Sequence, residues 1–367
     1  MYLQNLRVNN FRNYEDQVIE FDQELNLICG DNAQGKSNLL EAIAYLSLTS
    51  SFRGVKDNEL LGCDKDYFFI HGELIKNAEK LDLRVGYQRN SRKIWQINKE
   101  SKNRLADIVG IFHTVIFSPE DLLLVKEGPQ LRRKFLNRQM AQIYDGFCQT
   151  LIKYNKVLKQ KNTLLKEGRV RALANEELIP WNEQLAQLGA LIIKKRLEVL
   201  AELKILAAEK QRVLAPAENL ELRYESFLPE KELEQLTLEE IQEALLEALN
   251  NKILAEKKAA VTLLGPHRDD LAIFINKQPA RYFASQGQQK SCAIVLKLAE
   301  LAFAEQQKGE KPVLLLDDVM SELDSRRRDC LLSLLKKDIQ TFITDTEQRP
   351  DLPGHLLLVK AGKVFKA

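Results

Sequence analysis

Hydrophobic and polar positions divide this chain into stretches that alternate, stretches that are continuously apolar and stretches with helical spacing. Alternation predicts half-buried strands, a short apolar run between turn residues predicts a buried strand, and an apolar residue at every third or fourth position predicts a helix. Helices are predicted at 38–46 and from 291 to about 307, and a further helix is expected to begin at Ser118 and Pro119. Strands are predicted at 3–8, 18–21, 25–29, 67–74, 81–87, 93–97, 112–117, 271–275, 313–316 and 341–344.

Helical spacing dominates the segment 126–259, in contrast to the strand-rich sequence on either side. Its leucines between Leu185 and Leu206 fall on one helix face, which suits packing against a neighbouring helix. The stretch is too short for a coiled coil of many heptads. We therefore predict an α/β protein in which one domain, formed by 1–125 and 260–367, is interrupted by a compact helical arm at 126–259.

Composition narrows the class of protein without identifying its partners. The chain has 367 residues, 45% of them hydrophobic, which is enough for two domains with sizeable cores. The five cysteines form no C-x-x-C pair, which disfavours a zinc site or a disulfide framework and suits a reducing cytoplasm. The N-terminus lacks a signal-peptide apolar region, and no apolar run approaches the roughly 20 residues of a membrane helix. A soluble, cytoplasmic protein with no membrane partner is expected.

The overall net charge of +2 conceals strong local charge. Residues 84–104 hold seven Lys or Arg against one Glu, a net +6 over a hairpin-like segment. Such a concentration of positive charge is typical of a surface that contacts phosphates, and about equally typical of a surface that is merely solvated. Within the arm, 126–171 has a net charge of +9 and 217–247 a net charge of −8. The basic arm segment could bind DNA or pair with the acidic one, and the sequence leaves both alternatives open.

The most specific motif is Gly30-Asp31-Asn32-Ala33-Gln34-Gly35-Lys36-Ser37, which fits G-x-x-x-x-G-K-[ST] at every fixed position. It lies between the predicted strand 25–29 and the predicted helix that begins at Asn38. Backbone N–H groups of such a loop, together with the helix dipole, form a cradle for phosphate. Lys36 is expected to reach the β- and γ-phosphates, and the Ser37 hydroxyl to bind Mg²⁺. ATP and Mg²⁺ are the predicted ligands.

Two carboxylates follow the apolar strand 313–316. Asp317 is expected to serve the Mg²⁺ ion, and Asp318 to polarise an attacking water. Desolvating two acids at a strand end would be costly without such chemistry.

A second anion site is predicted at Ser285-Gln286-Gly287-Gln288-Gln289, where a hydroxyl and a glycine N–H precede a helix. One ATP already has its cradle, so a second γ-phosphate site is useful only toward a partner's nucleotide. This points to a homodimer with ATP held between the phosphate loop of one subunit and Ser285–Gln289 of the other.

Together these motifs resemble those of the ABC-type ATPase heads of the SMC-like family, and most closely those of the bacterial RecF recombination mediators. The resemblance implies an ABC-type head, with a P-loop mixed sheet, an antiparallel β subdomain and an inserted helical arm. It extends along the whole chain and rests on residues 10–14, 30–38, 117–122, 128–129, 132–136, 265–271, 285–289 and 314–324.

The resemblance implies an ATP-dependent DNA-binding protein of DNA repair, recombination, replication restart and the SOS response. It would dimerise on ATP, bind gaps or junctions between single-stranded and double-stranded DNA, and help partners similar to RecR and RecO load recombinase. Lys36, Asp317 and Asp318 take catalytic roles, and Ser285, Gly287 and Gln288 contact the partner's ATP. Arg12 and Asn13 become nucleotide contacts, although their turn alone slightly favours a solvated surface. The candidate DNA contacts are Arg53, Lys56, Arg89, Arg92, Lys93, Arg132, Arg133 and Lys134.

Two departures from the ABC pattern imply slow, switch-like hydrolysis. The expected activity is a weak ATPase that DNA stimulates. Asp318 stands where ABC ATPases usually have Glu, and Thr344-Asp345-Thr346 stands where many have a histidine. The alternative function is the ATPase subunit of an ABC transporter, which the inserted basic arm disfavours. A nuclease is disfavoured because no compact carboxylate set accompanies Asp317 and Asp318.

Overall fold

A computed structural model describes residues 1–334, 338–347 and 354–366. It divides into two compact units: a first unit of 1–122, 210–216 and 290–367, and a second unit of 123–209 and 217–289. This division differs from the segments expected from the sequence, because 260–289 is grouped with most of the arm. The functional boundaries at 125 and 259 therefore stay a prediction.

The secondary structure is mixed α and β throughout the described residues. The strands are β1 (Tyr2–Phe11), β2 (Tyr14–Glu20), β3 (Leu25–Cys29), β4 (Tyr67–Lys76), β5 (Glu79–Gln88), β6 (Ile94–Ile97), β7 (Glu100–Lys102), β8 (Thr114–Phe117), β9 (Leu220–Glu225), β10 (Asp270–Ile275), β11 (Gln278–Pro279), β12 (Val313–Leu316), β13 (Thr341–Asp345), β14 (His355–Lys360) and β15 (Lys363–Lys366). The helices are α1 (Lys36–Leu48), α2 (Leu123–Lys126), α3 (Pro129–Ile143), α4 (Phe147–Glu167), α5 (Ile179–Leu214), α6 (Glu230–Gln235), α7 (Leu238–Asn251), α8 (Ile253–Ala259), α9 (Ala280–Phe283), α10 (Gln286–Lys308), α11 (Val319–Glu322) and α12 (Ser325–Leu334).

The first unit contains a mixed sheet in the order β15-β14-β3-β13-β12-β8, in which β14, β3, β13, β12 and β8 run parallel. Its central strands are almost wholly apolar and buried, as parallel strands covered on both faces require. Because β13 lies between β3 and β12, the carboxyl ends of these three strands meet at one edge. Ligands of open α/β sheets bind at such an edge.

A second sheet of the first unit is antiparallel, in the order β2-β1-β4-β5-β6-β7. Its strands alternate, as β4 and β5 show, with apolar residues turned to a core that includes Phe68, Val85 and Trp95. This confirms the antiparallel hairpin expected for 84–104. Helix α1 contributes Leu39, Ile43 and other side chains to the same core.

The second unit is largely helical, with a small sheet in the order β11-β10-β9. The sequence analysis expected helices throughout 126–259 and was wrong at β9, which pairs antiparallel with β10 from Glu225 to Leu220. The alternation of Leu220, Leu222 and Tyr224 is a strand pattern that the many glutamates of this segment concealed. The expected start of the helix at Ser291 was also wrong, because α10 already begins at Gln286.

A buried polar cluster holds the second unit together around residues 265–271. Arg196, only 2% exposed, donates to Pro266 O at 2.7 Å. The Asp269 carboxylate accepts from Ser226 Oγ at 2.8 Å and from the Tyr224 hydroxyl, and burial raises its pKa to about 6. Buried polar groups need such partners, since each unsatisfied one costs roughly 1–3 kcal/mol.

No helix in the described part of the chain is long and apolar enough to cross a membrane.

The buried His113, which precedes β8, should make the first unit sensitive to acid. Burial lowers the pKa of His113 to about 4 from the usual 6.5, so the folded state binds the proton less tightly than the unfolded state does. Stability is therefore fully present above about pH 6.5 and falls toward pH 4, by roughly 3 kcal/mol at most at about 1.36 kcal/mol per pKa unit. In His113→Phe the thermal-unfolding midpoint should depend less on pH between 6.5 and 4. The difference in stability between this variant and the unaltered chain at pH 8 measures the cost of the altered packing alone. An unchanged pH slope would contradict the prediction.

Candidate functional site

The loop after β3 has backbone geometry that two glycines permit. Gly35 has φ +121°, and a Cβ there would lie 2.6 Å from Asn13 Nδ2. At Gly30 a Cβ would lie 2.3 Å from Val359 O, on β14. Neither position can hold another residue without displacing its neighbours. The loop thus passes tightly between β14 and the β1–β2 turn.

The loop leads directly into α1, whose first residues are Lys36, Ser37 and Asn38. Their N–H groups lie in the first helical turn, where no intrahelical carbonyl is available to them and an anion is favoured. Lys36 Nζ donates to Gly30 O at 2.7 Å and Asp31 O at 3.0 Å, so the ammonium lies against the loop. The structure thus brings the loop, Lys36 and Ser37 together as the motif predicts. Their roles toward ATP remain a prediction.

The β14–β15 turn fastens the loop from the other side. Gly362 N donates to Gln34 O at 3.0 Å, and Ala361 N donates to Gln34 Oε1 at 2.7 Å. Asp31, Asn32 and Ala33 are exposed, in contrast to Gln34. The tip of the loop is therefore open to solvent while its base is fixed.

The β1–β2 turn lies beside the loop, as the resemblance implied. Asn13 Nδ2 donates to Gln34 O at 2.8 Å, and Asn38 Nδ2 donates to Asn13 Oδ1 at 2.9 Å. Arg12, at φ 56°, extends to Glu41 on α1. Their proximity to the loop supports Arg12 and Asn13 as nucleotide contacts, which stays a prediction.

Glu41 is the centre of a charged cluster that the sequence analysis missed. Its side chain is fully buried and accepts from Arg12 Nε at 2.9 Å and Arg12 Nη2 at 3.1 Å. The Ser51 hydroxyl also binds it, and Arg53 Nη1 lies 3.7 Å from it. A glutamate within an apolar helix face, five residues after the loop lysine, was the available signal.

Arg53 connects this cluster to the end of β12. Its Nη2 lies 3.6 Å from Asp317 Oδ2, and its Nη1 donates to Asn38 Oδ1 at 3.2 Å. The sequence analysis grouped Arg53 with the DNA contacts. Its neighbours belong instead to the phosphate-loop site, so we do not include it in a DNA surface.

Asp317 and Asp318 lie at the carboxyl end of β12, as predicted. Asp317 is 5% exposed, and Thr344 Oγ1, from β13, donates to its Oδ1 at 3.0 Å. The Asp318 N–H donates to the same hydroxyl oxygen at 2.8 Å. Thr344, which stands near the position of the ABC histidine, therefore ties the two acids to β13.

Burial raises the pKa of Asp318, and the negative charges of Asp317 and Asp345 add to this effect, while Lys36 opposes it. The pKa of Glu120 is also raised, mainly by burial, with a further contribution from Asp317. Asp345 and Glu120 thus add to the negative potential here, and sequence reasoning had not assigned them to the site. Oxygen ligands of this kind suit Mg²⁺, and the buried, charged Asp317 fits that role.

The second predicted anion site forms a helix cap in the second unit. Gln288 N donates to Ser285 Oγ at 3.2 Å, and Ser285 N donates to Gln288 Oε1 at 2.9 Å. This reciprocal pair is a capping box at the start of α10. Ser285 is exposed, and Gly287 lies in the first turn. The motif therefore has a structural role, and its phosphate-binding role stays a prediction.

The remaining DNA candidates divide by their surroundings. Lys56, Arg89 and Arg92 are exposed, although Arg89 Nε pairs with Asp66 at 2.9 Å. Lys93 instead points inward and donates to Thr49 O at 2.7 Å. Lys56, Arg89 and Arg92 therefore stay candidate DNA contacts. The inward orientation of Lys93 makes it a poorer candidate.

Three further candidates lie on α3. Arg132 is 6% exposed and pairs through two nitrogens with Asp270, at 2.8 and 2.7 Å. Arg133 donates to Asp269 O at 2.7 Å, and Lys134 is exposed. Arg132 is therefore a structural partner of Asp270, and we do not assign it to a DNA surface.

Comparisons with known proteins show the family of the chain. The model of the RecF/RecN/SMC N-terminal domain family matches residues 2–350. The DNA replication and repair protein RecF of Halothermothrix orenii is 42% identical over 349 residues, 95% of this chain and 92% of that protein. A solved structure described as the recombination mediator protein RecF-ATP in the RecFOR pathway is 40% identical, with a TM-score of 0.94, over 100% of this chain and 97% of that one.

The fold is shared more widely. The Smc head domain of Pyrococcus furiosus, solved with an extended coiled coil and the C-terminal domain of ScpA, has a TM-score of 0.56 at 16% identity. It covers 100% of this chain and 96% of its own. Together with the family match and the 40% identical structure, this likeness confirms the predicted SMC-like ABC-type ATPase fold.

Neutralising the buried carboxylate with Glu41→Gln should destabilise the first unit. The change keeps the side-chain volume but leaves the Arg12 and Arg53 guanidiniums without their shared counter-charge. We expect a loss on the order of 2–3 kcal/mol in urea unfolding, since hydrogen bonds to charged groups contribute about this much.

Asp16→Asn is the matched control, because it removes a carboxylate from the exposed pair with Arg7, at 2.9 Å. This control should lose less than about 0.5 kcal/mol. Equal losses in the two variants would show that Glu41 is no more important than a surface acid.

Proposed function

The chain belongs to the RecF/RecN/SMC family, and from this premise we propose that it is an ATP-dependent DNA-binding protein of DNA replication and recombinational repair. The proposal depends on one observation: β3, β13 and β12 end at the same edge of the sheet. Lys36 follows the loop after β3, and Asp317 follows β12 directly. The transporter alternative is not favoured, because the relative that this chain matches over 95% of its length is described as a DNA replication and repair protein.

Phosphate binding follows from the loop. Backbone N–H groups of residues 34–38 and the Lys36 ammonium supply positive potential where the β- and γ-phosphates of ATP would lie. Arg12 and Asn13 contribute from the adjoining turn. Because Lys36 already lies against Gly30 O and Asp31 O, it can exchange these carbonyls for phosphate oxygens over a short distance.

Metal and water chemistry follow from the acids. Ser37 and Asp317 would hold Mg²⁺, which neutralises charge on the phosphates when bound. Asp318 would accept a proton from the attacking water, and its raised pKa makes it a better base than a solvated aspartate. Asp is shorter than the usual Glu by one methylene, so its reach is reduced. Slow turnover that acts as a switch, with DNA as the stimulus, is consistent with this.

The dimer completes the proposal. Ser285, Gly287 and Gln288, exposed or partly exposed at the start of α10, would contact the γ-phosphate of ATP bound to a partner subunit. ATP would thus control dimerisation, and the dimer would engage gapped or junction DNA in the cytoplasm. The exposed cations Lys56, Arg89, Arg92 and Lys134, together with the partly buried Arg133, would contact its phosphates. Proteins similar to RecR and RecO are the expected partners in recombinase loading.

Asp318→Asn tests the hydrolytic role. The variant retains Lys36, Ser37 and Asp317, so ATP binding should be unchanged within about twofold. Without the base, single-turnover hydrolysis should slow by about 100-fold or more. Asp345→Asn is the control, since it removes a neighbouring charge without removing the base. Hydrolysis by Asp318→Asn at the rate of the unaltered protein would exclude Asp318 from proton transfer.

Ser285→Asp tests the dimer and its phosphate contact. Asp caps a helix as well as Ser does, so α10 should stay intact, while the added charge repels a γ-phosphate. ATP-dependent dimerisation should be lost, as measured by light scattering, while ATP binding by the monomer persists. Ser285→Asn, a neutral capping residue of the same size, is the control and should retain more dimer.

A mixture of two variants tests whether Ser285 acts on the ATP of the partner subunit. A Lys36→Ala chain and a Ser285→Asp chain can together form one intact site, so the mixture should recover part of the ATPase activity that each lacks alone. No recovery in proven heterodimers would show that Ser285 does not act on the partner's ATP.

A further inference from the structure

The outward face of the antiparallel sheet contains a hollow centred on Gly86. Val85 and Tyr87 on either side of it are buried, so Gly86 itself lies on the opposite, outward face. A Cβ placed at Gly86 would meet nothing within 4 Å. In the register of the sheet, Gly86 lies between Phe69 of β4 and Ile94 of β6. The missing side chain forms part of the floor of an open cleft of about 520 Å³.

Apolar side chains form one part of the rim of this cleft, beside the polar Asn9, Gln88 and Ser91. Tyr67 is 51% exposed and Ile94 is 61% exposed, and the partly buried Phe69 lies across Gly86 from Ile94. A glycine inside a strand weakens the strand and often marks a place where a ligand approaches closely. The rings of Tyr67 and Phe69 thus lie beside the backbone of Gly86, which has no side chain to fill the space.

The surroundings of the cleft are positively charged. Arg7 and Arg92 line it. Arg7 is held by Asp16 at 2.9 Å, whereas Arg92 is exposed and has no ion-pair partner in the parts of the chain that the structure describes. The segment 84–104, which supplies Gly86, Arg92 and Ile94, carries a net charge of +6, of which three charges, on Arg84, Arg89 and Lys93, are paired with acids outside the segment. A polyanion is therefore the favoured occupant, in preference to an uncharged protein surface.

We propose that this cleft is a stacking platform for the bases of single-stranded DNA. Exposed bases stack on aromatic side chains with little sequence preference, while nearby cations contact the backbone. A duplex conceals the faces of its bases and cannot use such a platform. The inference rests on the proposed DNA-binding function and deepens it, because it assigns the single-stranded arm of a gap or junction to the Gly86 cleft.

The test uses the full chain with ATP and Mg²⁺, and fluorescence anisotropy with three probes of equal length. These are oligo(dT), the same backbone without bases, and a blunt duplex. Two variants remove the platform in opposite ways. Tyr67→Ala combined with Phe69→Ala deletes the rings, and Gly86→Val fills the hollow with a residue that strands favour.

Both variants should lose at least about fivefold in affinity for oligo(dT), the equivalent of one stacked base. Their affinity for the duplex and for the base-free backbone should be unchanged. The slope of log K against log salt should also stay the same, because no phosphate contact is lost. Arg92→Ser should instead lower that slope by about 0.7 on single strands.

Phe365→Ala is the matched control, since Phe365 is a 50% exposed ring on β15, in the other sheet. It should bind all three probes as the unaltered chain does. The platform is refuted if both cleft variants keep full affinity for oligo(dT), or if the unaltered chain binds oligo(dT) no better than the base-free backbone. It is also refuted if the variants lose only the capture of a protein partner. Failure of the unaltered chain to bind any probe would instead refute the proposed DNA-binding function itself.

Discussion

The structure of the site depends on one constraint, the insertion of β13 between β3 and β12 in parallel register. Leu316 of β12 pairs with Ile343, and Cys29 of β3 pairs with Asp345. Parallel strands in register end together, so the phosphate loop and Asp317 emerge at the same edge although Ser37 and Asp317 are 280 positions apart in the sequence. Thr344 completes the arrangement, because its hydroxyl contacts both Asp317 and the Asp318 N–H.

Much of this could be predicted because the central strands and the phosphate loop are specified by local sequence. The expected strand 25–29 is β3 with the same bounds, and Asp317 and Asp318 follow β12 as expected. The antiparallel hairpin was also predictable, since alternation over 81–87 is a strong signal. The segment 126–259 was predicted to be entirely helical, which was wrong at β9. This strand is stabilised by pairing with β10, more than 40 residues away along the chain.

The use of charged residues was much less predictable. Arg53, Lys93 and Arg132 look like surface cations in the sequence, yet they contact Asp317, Asp57 and Asp270 within their own units. Likewise Lys161 of the basic arm segment pairs with Glu256, both fully buried, and not with the acidic segment 217–247. Whether a cation faces DNA or a buried carboxylate is decided by tertiary packing, which residue counts do not contain. Glu41 was missed for the same reason.

The contacts between the β14–β15 turn and the phosphate loop affect the order in which the protein folds during synthesis. The loop occupies residues 30–37, but Gly30 packs on Val359 O and Gln34 is held by Ala361 and Gly362. These contacts join the first tenth of the chain to its last few residues, so they add to contact order and form late. During synthesis from the N-terminus, β1, β2, β4 and β5 can pair long before this grip exists. A nascent chain, or one truncated before Val359, would hold its antiparallel sheet without a properly supported phosphate loop, so the proposed ATP binding would require the β14–β15 turn.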